Sequence, residues 1–395
     1  MGEEANRLLK NAHLRRCPYP SSLRRTSKYA SLLRISGALH PGIFEQPAQN
    51  DFFTKGLRLN RRRLPLKLFG RLLHKNPVSF LPYLGVGLVL ILLPLFLSPY
   101  LLYLAAKILI LAIFAMGLNL ILGYTGLVSM GHAAFFGTAV YIVAFLTVRY
   151  GGANFGVVAL LGILAAVLMA ALFGLFIVHL SGAYFLLITL GLSQLLFSVV
   201  WKWRALTGGD DGLPGIPRPD LGLSLSMGDD TYFYYFVFLI FVGCFFLLYK
   251  LTDSPFGHAL VGIRENESRM KILGYNPWRY KYVSFIISGA FGGVAGVLYA
   301  YMIGVAYPGD IGMMASVMVL FMVILGSPGT LACPLIGATL LTTVEHIIST
   351  FTPERWPLIL GAAFVLVSMY FRGGIGIYLI RYWRKAELRH GSPEN

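Results

Sequence analysis

Long apolar runs alternate with short polar stretches along the whole chain. Runs of 18 or more residues with few charges recur, which is the length a helix needs to cross about 30 Å of hydrocarbon. Ten spans are read, near residues 80–98, 100–122, 131–148, 155–180, 183–203, 232–251, 282–304, 313–326, 334–350 and 356–371. The eighth is short for a bilayer, which predicts a broken or tilted span. The short alternating segments of a β-barrel do not occur. The pattern predicts an all-α polytopic membrane protein of about ten transmembrane helices. In the seventh run Gly289, Gly292, Gly293 and Gly296 form two overlapping GxxxG spacings, the signature of close helix packing.

Composition agrees: 13% of the 395 residues are charged, against about 25% in soluble domains, and the mean hydropathy is +0.69. The net charge of +16 is uneven, with 16 Lys and Arg against 4 Asp and Glu in residues 1–76. In a membrane protein that imbalance reports orientation, placing the N-terminus inside. Ten spans return the C-terminus inside, where Arg372, Arg381, Arg384, Lys385 and Arg389 fit the same rule. Trp201, Trp203, Tyr232, Tyr234, Tyr235 and Trp356 then fall at outer span ends, as interfacial aromatics. The expected organisation is a basic cytoplasmic tail (1–76), a transmembrane domain (77–379) containing a cytoplasmic loop (252–281), and a short cytoplasmic tail (380–395). The basic N-terminal segment is read as this tail and not as a nucleic-acid-binding arm. Cys17, Cys244 and Cys333 are far apart, with no CxxC or Cys/His spacing, so neither a disulfide framework nor a metal site is expected.

Three stretches are candidates for chemistry. "GYTGLVSMGHAAFFG", 123–137, separates the second and third spans, and its glycines loosen a helix at membrane depth. Non-helical backbone there is tolerated only against protein or a water-filled cavity, so Gly126, Gly131 and His132 are candidates for a solute path. An ordinary inner loop with a close-packing glycine row and an interior hydrogen-bonded His is the competing reading. "TGGDDGLPGIPRPD", 207–220, lies in the longest outer loop, where Asp210 and Asp211 can engage a cation, a solute or a partner, or simply be solvated. Lys107, Asn119, His179, Gln194, Glu345 and His346 are polar residues in or near spans, with Lys107 and His179 close enough to span ends to snorkel. Glu345 and His346 are adjacent and point about 100° apart on a helix, so they do not form an HExxH zinc face. "GHALVGIR", 257–264, lacks the Lys and Ser/Thr of a phosphate loop. Any ATP hydrolysis therefore belongs to another chain, and no catalytic residue or cofactor is assigned here.

The third stretch, "SPFGHALVGIRENESRMKILGY", 254–275, gathers charge in a chain that otherwise avoids it. Ser254-Pro255 is a helix start, Gly274 a stop, and Pro277 blocks a continuous helix into the seventh span. Ala259, Ile263, Met270 and Leu273 at helical spacing predict a short amphipathic helix along the inner face. Such a helix suits docking in the groove of a cytoplasmic partner.

These motifs, in this order with "GSPGTLACPLIGA" at 326–338, resemble the permease subunits of ABC importers for branched-chain amino acids, the M-type (LivM-like) member, over about residues 80–379. The resemblance implies an importer permease bundle in the cell inner membrane, with both termini cytoplasmic. It implies that the third stretch docks on the ATPase, with Arg264, Glu265, Asn266, Glu267 and Gly274 on matching positions. Its implied partners are ATP-binding cassette subunits, a second homologous permease, an external solute-binding protein and membrane lipid. The family also carries urea, short amides and aromatic acids. A stand-alone secondary transporter and an intramembrane enzyme are the rival classes, and among intramembrane acids only Glu345 suits ion coupling. Ser268-Arg269 depart from the family's small residues after "ENE", and Ser327 and Cys333 from its Gly-rich fourth motif. The N-terminal tail lies outside the resemblance.

Overall fold

The computed structural model describes residues 81–151, 154–219, 229–351, 358 and 361–362. Twelve helices run through them: α1 Leu81–Phe96, α2 Pro99–Asn119, α3 Ala133–Tyr150, α4 Phe155–Ile177, α5 Ala183–Lys202, the single turn α6 Arg204–Thr207, α7 Asp230–Asp253, α8 Pro255–Glu265, α9 Glu267–Ile272, α10 Pro277–Ile303, α11 Met313–Gly326 and α12 Cys333–Phe351. Six stretches among the described residues are long and apolar enough to cross a membrane: Pro99–Thr125, α3, α4, α5, α7 and α10. The eighth run forms the 14-residue α11, as short as its sequence implied. Most of the tenth run, the charged C-terminal tail and the basic N-terminal segment lie outside the described residues.

α2 and α10 form the centre, with α3 and α4 against α10, and α7, α11 and α12 around α2. The glycine row explains why α10 can sit there. A Cβ on Gly293 would meet the Ala166 Cβ of α4 at 2.7 Å, and one on Gly117 of α2 would meet the Phe291 Cβ at 2.8 Å. Small residues let the backbones approach, and close van der Waals packing replaces a hydrophobic drive that hydrocarbon surroundings do not supply.

Two polar expectations are corrected by packing. Tyr234, near the start of α7, is 0% exposed and packs inward, and its hydroxyl donates to the Leu90 carbonyl at 2.8 Å. Pro94 lies in α1 four residues after Leu90 and has no N–H to offer that carbonyl, so Tyr234 supplies the missing donor. Lys107 of α2 does not simply snorkel: its Nζ lies 3.9 Å from Glu345 Oε1 of α12, and Tyr100 meets His346 of the same helix at 3.0 Å.

On the side away from α8, the connection after α6 forms a two-residue strand, β1 Leu213–Pro214, antiparallel to β2 Val305–Ala306. Gly215 and Ile216 N–H both donate to Gly304 O, at 3.1 and 3.0 Å. This ribbon ties the Asp-containing loop to the end of α10.

Candidate functional site

The α2 helix does not end cleanly. Residues Leu120–Thr125 widen into a π-helical turn, with Gly126 N–H reaching back to Ile121 O and Gly126 at φ +82. Such turns leave backbone groups free and concentrate at functional positions. Here the freed Gly123 carbonyl accepts a hydrogen bond from the Arg264 guanidinium of α8. The Arg264 stem lies over Gly126, where any Cβ would collide with Arg264 Cγ. Just above, Asn119 Nδ2 donates to Thr330 O and its Oδ1 accepts from Gly329 N–H, both at 2.9 Å. A Cβ on Gly123 would strike both Asn119 Oδ1 and the Gly329 backbone. Arg264, the π-turn and the 327–332 turn thus form one joint, packed so closely that glycine is required at Gly123.

Beyond the joint, residues 126–132 run as non-helical chain into the bundle. Hydroxyls from surrounding helices satisfy it: Met130 N–H donates to Thr189 Oγ1 at 3.2 Å, and Ala133 N–H to Ser316 Oγ at 3.0 Å. Thr125 Oγ1 donates to Ser284 Oγ at 3.3 Å. This is irregular backbone at depth, tolerated because protein covers it. Gly131 presses on the Thr189 carbonyl of α5 with no room for a Cβ. His132 is 0% exposed. Its Nε2 lies 2.5 Å from Ser288 Oγ, which itself donates to Gly117 O, so Nε2 carries the proton and Nδ1 accepts from Ser129 Oγ at 3.2 Å. In this arrangement His132 is an interior, hydrogen-bonded residue. Ser288 lies eleven residues into α10, about 16 Å along it, so the His132 node is well inside the bundle.

The stretch 254–275 is two helices, not one. Ser254 caps α8 by accepting from Gly257 N–H, with Pro255 in the first turn. Asn266, at φ −160, ends α8 and caps α9 through Oδ1 accepting from Arg269 N–H at 2.9 Å. That break turns the apolar stripe. Ala259, Leu260 and Ile263 are buried, but Ile272 is 86% and Leu273 65% exposed. Gly274, at φ +88, closes α9: its N–H donates to Lys271 O and Tyr275 N–H to Met270 O, both at 3.1 Å, the Schellman pattern that favours glycine.

The two glutamates differ. Glu265 is exposed. Glu267 accepts from Lys281 Nζ of α10 at 2.6 Å and from Lys271 Nζ at 3.0 Å. Burial pushes the Glu267 carboxyl up, but the two lysine hydrogen bonds and charges outweigh it and hold it below its ordinary range. The Lys281 side chain is 7% exposed, so Glu267 is its counter-ion and clamps α9 to α10.

Asp210 and Asp211 form a single 3-10 turn, Gly209–Asp211, with both side chains exposed. Gly208, Gly209 and Gly212 flank them at positive φ, and a Cβ on Gly212 would collide with Ala306 O of β2. The structure therefore does not bring the aspartates near His132 or Arg264. The clamp made by Asn119 has no sequence signal beyond an amide in an otherwise apolar run.

Six membrane-length stretches, with a two-helix segment packed against a broken helix, are the build of a polytopic membrane protein. The chain matches the family model described as branched-chain amino acid transport system / permease component over residues 100–369, and it belongs to that family. It is similar to the high-affinity branched-chain amino acid transport system permease protein LivM of Escherichia coli, 30% identical over 67% of each chain. The LivM of Salmonella typhimurium is 30% identical over 69% of this chain and 68% of the relative. The probable branched-chain amino acid transport permease LivM of Methanocaldococcus jannaschii is 32% identical over 22% of this chain and 26% of the relative. No solved structure matches significantly.

Proposed function

We propose that this chain is the membrane subunit of an ATP-driven importer and that residues 254–276 are the element through which a separate ATP-binding subunit moves it. The observation that carries this reading is the two-sidedness of that element. Arg264 and Glu267 fasten it to the π-turn after α2 and to α10, while Glu265, Ile272, Leu273 and Tyr275 are left outward. Exposed apolar side chains rimmed by charge are what a docking surface presents. Closure of the ATP-binding subunits would displace α8 and α9 as one piece, and the displacement would reach the π-turn and the glycine-rich return through Arg264.

The full arrangement is ten spans in the cell inner membrane with both termini cytoplasmic, supported by the basic residues of the N-terminal segment and the inner loop. A second homologous permease completes the path, and an external solute-binding protein delivers solute near Asp210 and Asp211. ATP is bound by the separate subunits, and this chain needs no cofactor. The path is shaped by Gly126 and Gly131, with His132 fixing the return from inside. The relatives' names favour a branched-chain amino acid over urea, short amides or aromatic acids. Uptake of labelled L-leucine, urea and isobutyramide tests this in cells with and without the chain. Leucine uptake should require the chain and persist when ion gradients are collapsed but ATP is maintained. Gradient-driven uptake by the purified chain alone in liposomes would overturn the reading.

A further inference from the structure

The connection from α10 to α11 carries an acid that the coupling account leaves unused. After β2, the 3-10 turn Pro308–Asp310 folds back onto the bundle. A Cβ on Gly137 of α3 would meet the Ile311 N at 3.0 Å, and Ser193 Oγ of α5 donates to Ile311 O at 3.1 Å. The turn is thus held between α3 and α5. Asp310 is partly buried there and accepts one hydrogen bond, from Tyr307 N–H to Oδ2 at 3.1 Å. The ion pairs among the described residues join other groups and none reaches Asp310. A carboxylate accepts about four hydrogen bonds, so most of its capacity is open. Burial raises its pKa to about 6, against the smaller opposing effect of the Tyr307 N–H.

The second observation is independent. Tyr141 of α3 is 7% exposed, and its hydroxyl is buried without a hydrogen-bond partner. An unpaired buried hydroxyl is costly. A Cβ on Gly137 would also meet the Asp310 carbonyl carbon at 3.1 Å, Tyr141 lies one helical turn further along that face of α3, and Tyr299 belongs to the adjoining α10. Tyr299 also packs against Phe136, ring centroids 5.1 Å apart. One unpaired anion, one unpaired hydroxyl and aromatic rings therefore meet where α3, α10 and the 308–311 turn converge.

We propose that Asp310, Tyr141 and Tyr299 form a recognition subsite for a primary ammonium group on the transported solute. This rests on the amino-acid reading above and gives it a contact. An ammonium has three N–H donors and a positive charge: the Asp310 carboxylate takes the charge and one donor, Tyr141 Oη takes a second, and the Tyr299 ring supplies a cation–π face. Urea and neutral amides have N–H donors but no charge to offset the partly buried carboxylate, so the site disfavours them.

The test uses the complete transporter in cells, with initial uptake of labelled L-leucine at saturating concentration. Asp310→Asn keeps the acceptor for Tyr307 N–H and removes only the charge. It should lower maximal leucine uptake about tenfold or more, while ATPase co-purification and basal ATP hydrolysis stay unchanged and Asp310→Glu restores part of the rate. Tyr141→Phe removes an orphan hydroxyl and so leaves the fold at least as stable; it should still lower maximal uptake several-fold. Normal leucine uptake in both variants overturns the subsite and leaves the functional reading standing. Wild-type cells that take up urea or isobutyramide but no leucine overturn the functional reading, and the subsite with it.

Discussion

Gly123 stands where three elements touch: the π-turn, the 327–332 turn and Arg264. Adding one methyl there forces Asn119 or Gly329 to move, and overpacking of this kind costs about 1–3 kcal/mol. Gly123→Ala should leave the chain inserted and the ATPase attached but strongly reduce leucine uptake, measured together on one membrane preparation. Wild-type uptake would show that the joint transmits nothing. A purely structural counterpart is Tyr234→Phe, which leaves the Leu90 carbonyl without a donor because Pro94 has none. It should lower thermal stability by about 1–3 kcal/mol without changing ATPase binding, and an unchanged melting temperature would refute the pairing. Neither partner set was legible in the sequence. Asn119 and Gly329, or Tyr234 and Leu90, are brought together by tertiary packing across long stretches of chain. Sequence patterning reports only local spacing.

Within residues 254–277, local signals served well where chemistry is local. Ser254-Pro255 start α8, Gly274 stops α9 and Pro277 begins α10, as their backbone preferences dictate. The single amphipathic helix was not found, because Asn266 competes with the helix by capping the next one. Leu273 therefore leaves the buried stripe that its spacing suggested. The two glutamates, alike in sequence, separate in structure. Glu267→Gln leaves the Lys281 ammonium without its anion, which should destabilise the chain by about 1–3 kcal/mol at neutral pH. The folded pKa of Glu267 lies below its ordinary 4.5. The clamp's contribution is thus fully present above that value and is lost as pH falls through the lower folded one. Melting of wild type and Glu267→Gln in detergent should differ at pH 7 and converge in acid; a pH-independent difference would remove the ion pair as the cause.

At the scale of the molecule, the apolar runs announced a membrane bundle, and α2–α5, α7 and α10 fulfil that expectation. The glycine row of α10 read correctly as close packing, because only small residues permit it. The Asp310 turn went unnoticed, since a Pro-Gly-Asp loop looks solvated until its fold onto α3 is seen. The orientation proposed for the chain predicts that Cys17 resists a membrane-impermeant thiol reagent in intact cells and reacts after permeabilisation; labelling in intact cells would invert the topology. The central claim is that the outward face of α9 docks a separate ATPase. Ile272 and Leu273 are exposed enough that changing them leaves the bundle's packing intact. The direct measurement is co-purification of the ATP-binding subunit with Ile272→Asp, Leu273→Asp, Glu265→Lys chain, alongside leucine uptake. The account predicts an inserted, stable chain that neither retains the ATPase nor supports uptake. Retention of the ATPase with normal uptake would contradict it.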